Sequence, residues 1–356
     1  VNRSAGRVTA SAGTIGGGVT NAGTFSVTGR VTGNAGLGNQ AGGTLTLAAT
    51  GAYTGLTAIT NAGVVTNNGT LATIGTLQNL AGGSVDNNAG AVLTAAVVIN
   101  AATFNNRGSV TASGGFTNTG SLNQSGASAT LAGALVNAGG ATVTVSGGTV
   151  GTAASHGIAN LGTFLVTGTA TSAGQVSNSA TLTVEAGGSY TLTFTATGPG
   201  GASLLNSGTT TVAVGGTLIA ANIDNRGGTL INNGRVIDDL FNSGTITNNG
   251  TWTGTVTTSS GSIVNTAGAS WTGSVGTNSG TLTNAGTWRG EGGVAVNSGT
   301  ITNTGTLGVA GSAFNVATNT GTVVNQGAWL GSVGLNSGRV STTGGWNGGG
   351  TSLVNS

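Results

Sequence analysis

Cysteine, methionine and lysine are missing from the 356 residues, and proline occurs once. Without Cys there are no disulfide staples and no thiolate metal sites. Charge is nearly missing too: 4% of residues carry it, against about 25% in an average globular protein. Eight Arg and six acids leave a formal charge of +2, so the pI of 9.9 rests on a handful of groups. Such sparse charge excludes the clustered basic footprint of a nucleic-acid partner. It also implies that stability changes little with pH. There is no run of about 18 apolar residues, so no membrane-spanning helix is expected. No signal peptide is visible and the chain starts at Val1 without a Met, which reads as a mature segment of a longer precursor. Disorder is opposed by a hydrophobic content of 37% placed at regular positions.

What fills the sequence instead is a repeated phrase. "NSGTITNNGTW" (242–252) returns as "NSGTLTNAGTW" (278–288) and in looser forms throughout. Its start recurs from Asn2, Asn21 and Asn39 to Asn319, Asn336 and Asn355, with Ser259 replacing Asn once. Nineteen starts bound eighteen units, and (355 − 2)/18 gives a mean of 19.6 residues. The register covers 1–356 as one continuous domain.

Apolar residues hold fixed places in the unit. The fifth position carries Phe25, Val65, Phe104, Ile246, Leu282 and their equivalents. The eleventh carries Val31, Leu71, Val110, Trp252, Trp288, Leu307, Trp329 and Trp346, with Trp271 displaced by two. A looser third site includes Ile74, Val256, Val275, Val294 and Val333. Thr or Ser flanks many of them, and this period-two alternation marks short strands with one inward face. Gly and Asn at N-x-G fit corners that need positive φ. Three short strands and three corners per unit cannot make a flat hairpin sheet. They fit an all-β parallel β-solenoid of about 18 triangular coils of ~19 residues, with each strand pairing in parallel with its equivalents one coil away. Stacking of coils supplies the core, and the first-position Asn can form a ladder of amide hydrogen bonds. The scarcity of Pro agrees, because Pro cannot donate to a strand ladder.

"NSGTITNNGTW" and "NTGTVVNQGAW" (319–329) resemble the degenerate repeats of bacterial autotransporter passengers and filamentous-haemagglutinin-like exoproteins. The resemblance extends over the whole chain. It implies a right-handed parallel β-helix and an extracellular, cell-surface location on a Gram-negative bacterium. No secretion cap, autochaperone segment or translocator barrel is recognisable.

Reactive residues are few and scattered. The coil 178–205 is enlarged around "TATGPGGAS" and should project a loop holding Pro199. His156 stands alone, with no Cys and no nearby acid, and makes a poor ligand or general base. Among the acids only Asp238 and Asp239 adjoin. In a strand they face opposite sides, and with Arg235 they read as a surface polar patch. The Asp-rich pattern of calcium-binding solenoids is lacking. No catalytic, cofactor-binding or metal-ligating residue is therefore assigned. The five Trp raise a carbohydrate-platform reading, but their shared column marks them as core.

The expected function is that of a non-catalytic extracellular structural protein, a surface fibre or adhesin stalk. It would assemble end to end through uncapped solenoid ends. Its expected partners are copies of itself, joined end to end or laterally, and host or matrix surface glycans. One alternative is an ice-binding solenoid using outward Thr-x-Thr arrays, against which no single face keeps Thr-x-Thr throughout. Another is a polysaccharide-binding or -degrading β-helix, weakened by the lack of an acidic cluster.

Overall fold

A computed structural model describes residues 1–195 and 201–348 and the short strand Val354–Asn355. Pro199 and its immediate neighbours lie outside the described residues. The chain is an all-β parallel β-solenoid of about eighteen coils, with no helix among the described residues. Among the described residues no helix is long and apolar enough to cross a membrane. Two compact units, Val1–Val176 and Ser177–Ser356, are each built in the same way.

In the first unit, a coil of strands Ile59–Asn61, Val64–Asn67 and Thr70–Thr73 is followed by Thr76–Asn79, Ser84–Asn87 and Val92–Ala95. Each strand pairs in parallel with its equivalent: Asn61 with Asn79, Val65 with Val85, Leu71 with Leu93. In the second unit, Val275–Asn278, Thr281–Asn284 and Thr287–Arg289 pair likewise with Val294–Asn297, Thr300–Asn303 and Thr306–Leu307. These three strand positions define a first, second and third face of the coil.

Period-two alternation decides what lies inside. Phe25, Ile246 and Trp288 are at most 2% exposed. The third interior column runs through Leu77, Val98 and Phe116 in the first unit and Val256, Val275, Val294 and Val333 in the second. Ile74 does not belong to it. Thr73 takes the inward place at the end of its strand, so alternation turns Ile74 out to 74% exposure and Leu77 fills the interior. Trp271 is not displaced either. It pairs in register with Trp252 and Trp288, because the two extra residues of its unit are absorbed in the turn before it. The three indoles stack at centroid spacings of 4.6 Å. Burying one such ring removes about 150–250 Å² from water, roughly 5 kcal/mol on the area scale.

Glycine at N-x-G serves a different purpose from the one its freedom suggests. Gly244, Gly261, Gly280, Gly299, Gly321 and Gly338 are absent from the positive-φ set. A Cβ at Gly280 would collide with the carbonyl oxygen of Gly261 in the coil before, and the same holds all along this column. Coil-to-coil approach of backbone on backbone, not left-handed geometry, demands glycine there. Positive φ occurs instead in the wider "AGG" corners, as at Gly42 and Gly82.

Replacement of Gly280 by Ala should therefore cost about 3 kcal/mol, read as a lowered thermal or urea midpoint. Gly16→Ala, where a Cβ meets nothing within 4 Å, should leave the midpoint in place. Equal effects of the two would refute the close-approach account.

Candidate functional site

Much of the carboxamide chemistry of this chain lies inside it. At the end of every first-face strand of the first unit, from Asn2 to Asn160, an Asn side chain turns inward and is buried. The Nδ2 of each donates to the Oδ1 of the next, giving eight bonds of 2.7–2.9 Å. The second amide hydrogen goes to a backbone carbonyl of the following coil, as from Asn61 to Ser84 at 2.9 Å. A buried primary amide needs two acceptors and at least one donor, and an amide neighbour above and below supplies them at strand spacing. The second unit repeats the ladder from Asn178 to Asn242 and from Asn278 to Asn336.

A second ladder was not foreseen. Asn232, Asn248, Asn265, Asn284, Asn303 and Asn325 end the second-face strands and are joined at 2.7–2.8 Å. In the first unit Asn67, Asn87, Asn106 and Gln124 do the same at 2.8–3.1 Å. Its mark was legible as the second Asn of "NSGTITN", six residues after the first. Where it is missing, apolar Val27, Leu47, Val145 and Val212 occupy the place.

Ser259 interrupts the first ladder. Its hydroxyl accepts from Asn242 at 3.3 Å but is too short to reach onward, and the buried Asn278 Oδ1 is left with no partner. Among the Trp column, Trp271, Trp288 and Trp329 donate Nε1–H to the carbonyls of Gly254, Gly273 and Phe314 at 3.3, 3.0 and 2.7 Å. Trp252, Trp271, Trp288 and Trp329 are at most 2% exposed, so no row of these rings meets solvent.

The titratable groups are separated. His156 is half-buried in a turn, with Nδ1 3.2 Å from the Thr152 hydroxyl. No three His, Asp or Glu among the described residues gather to hold a metal ion. Their one ion pair joins Arg226 to Asp224 at 2.6 Å.

A family model, the BigA fourth domain, matches residues 52–239. The chain belongs to the BigA fourth-domain family. Domains of this kind are found in bacterial surface proteins. No match was found among curated proteins or among solved structures.

The BigA-type segment ends on its most perturbed group. Arg235 and Asp239 are exposed, and Asp239 accepts the Thr255 backbone N–H at 3.0 Å. Asp238 does not share their surface patch: it is 4% exposed and points inward. "V-I-D" (236–238) aligns with "W-T-G" (252–254 and 271–273), so Asp238 occupies the place held by Gly in later coils. Neither carboxylate oxygen has a hydrogen-bond partner, nor does the indole Nε1 of Trp252 one coil on. Desolvation pushes the Asp238 carboxyl well above its ordinary range; the nearby Ile223 backbone amide works in the lowering direction, and the charge of Asp239 adds to the rise.

Two outcomes follow from these defects. Ser259→Asn should stabilise the protein by about 1–2 kcal/mol, since it gives Asn278 a donor and completes the ladder. A lower unfolding midpoint would refute it. An acid whose folded pKa is raised contributes most favourably below its unfolded value, and that contribution is lost as pH rises through the folded value. Stability is therefore more pH-dependent than the sparse charge implies, and Asp238→Asn should match the parent near pH 3 and exceed its thermal midpoint at pH 7. Parallel pH profiles for the two proteins would sink the assignment.

Proposed function

We propose that this chain is a non-catalytic structural element of a bacterial surface protein, an adhesin-like stalk exposed outside the cell. The observation that carries the reading is where the hydrogen-bonding groups go. Two carboxamide ladders and the Trp stack are spent on joining coil to coil, and the few acids stand apart. General acid–base chemistry on a glycan needs paired carboxyl groups on one face, and the pair Asp238–Asp239 points in two directions. Membership of a family found in bacterial surface proteins supports the location. The interior register supports the mechanical role, because each coil fixes the height of the next.

Self-association belongs to the same reading. The ladder and the parallel pairing are indifferent to whether the next coil comes from the same chain or from another copy, so end-to-end growth requires no new chemistry. Glycans of a host or matrix surface are the proposed adhesion target, met by the turns rather than by the buried indoles. Immunogold labelling of intact cells that carry the parent protein, with protease shaving, should detect this segment outside the cell. Strictly internal label, or release of reducing ends from a panel of polysaccharides by the purified protein, would overturn the proposal.

A further inference from the structure

The outward Thr of the repeat are most regular on the second face. From Thr181 to Thr322, eight successive second-face strands place a Thr or Ser at the same outward position, each paired in register with the next. No register shift interrupts these pairings. Two residues further along each strand stands a second outward column, holding Thr183, Thr211, Thr247, Thr283 and Thr302. Ile231, Val264 and Val324 fill its other places, so the full Thr-x-Thr pair is broken in three coils while the first column is unbroken. Thr181, Thr209, Thr245 and Thr281 are exposed. No charged residue lies on these eight strands.

We propose that this face binds a crystalline water lattice, the surface of ice. β-geometry spaces the hydroxyls about 4.8 Å apart between coils and about 6.7 Å along a strand. A periodic two-dimensional array gains over a single coil only when its partner is periodic at a comparable repeat. A soluble glycan or peptide would engage one or two coils and find no charged anchor and no aromatic platform, since Trp252, Trp271, Trp288 and Trp329 are buried. A second copy of the face is periodic, but pairing would strip water from two sets of hydroxyls. A buried hydroxyl left without a partner costs about 1–3 kcal/mol. An ordered water lattice keeps each hydroxyl hydrogen-bonded, while the Thr methyls and the β-branched Ile and Val rest against it. Register-locked coils hold the array rigid, so little ordering entropy is lost on contact.

The test uses the full chain. Thermal hysteresis and inhibition of ice recrystallisation are measured for the parent, for Thr281→Lys/Thr300→Lys on this face, and for Thr251→Lys on the third face as a control. Circular dichroism melts check that all three fold. The expected result is activity in the parent and in Thr251→Lys, and its loss in the double variant with an unchanged melt. If the double variant does not fold, Thr281→Gln/Thr300→Gln replaces it, with loss of hysteresis expected because the longer side chains break the flat unbroken column. No activity in the parent, or activity that persists in the folded face variants, would overturn the proposal. So would a parent inactive on ice whose sedimentation shows pairing abolished by the face variants, because the face would then be a contact between copies. None of these results bears on surface exposure, so the stalk reading stands or falls separately.

Discussion

A buried carboxamide cannot be left alone. Each inward Asn has two donors and an acceptor to satisfy in a place from which water is excluded, and an unmet group there costs about 1–3 kcal/mol. A carboxamide at the same height in the next coil meets that demand in full, and it inherits the same need. The constraint therefore propagates, and it fixes register as hydrophobic columns alone could not. Leu, Val, Phe and Trp tolerate exchange within a column, as Trp288, Leu307 and Trp329 show. A slip by one residue would expose every Asn and bury the flanking Thr.

Close stacking is the second consequence of the same register. Coils held at strand spacing bring corner backbones into contact, which excludes any side chain from the Gly244-to-Gly338 column. The high glycine content thus has two separate causes: contact at the narrow corners and left-handed backbone at the wide ones. The irregular places are intelligible as departures from one rule. Ser259 is a missing rung, and Asp238 is a side chain where later coils have none.

With interior chemistry committed to assembly of the coil, what remains for function is the outside. There the chain offers length, repetition and hydroxyl-bearing strand faces almost without charge. These are properties of a scaffold and of a patterned surface, consistent with a family found in bacterial surface proteins.

The sequence by itself determined the class of fold, because period-two alternation between recurrent Asn and Gly corners admits few other solutions. It determined the membership of the Phe25, Ile246 and Trp288 columns, and the second Asn ladder was written in "NSGTITN" for a reader who asked what the seventh residue faced. Exact height was beyond it. Whether two extra residues near Trp271 shift a ring or widen a turn depends on which place the backbone lets bulge, and Ile74 and Leu77 are distinguished only by the phase that Thr73 sets. Only the tertiary structure decided that Asp238 points inward, that narrow-corner Gly is required by contact, and that Thr181 to Thr322 lie in one row. Each of these is a relation between residues some twenty apart, created when one coil settles on another.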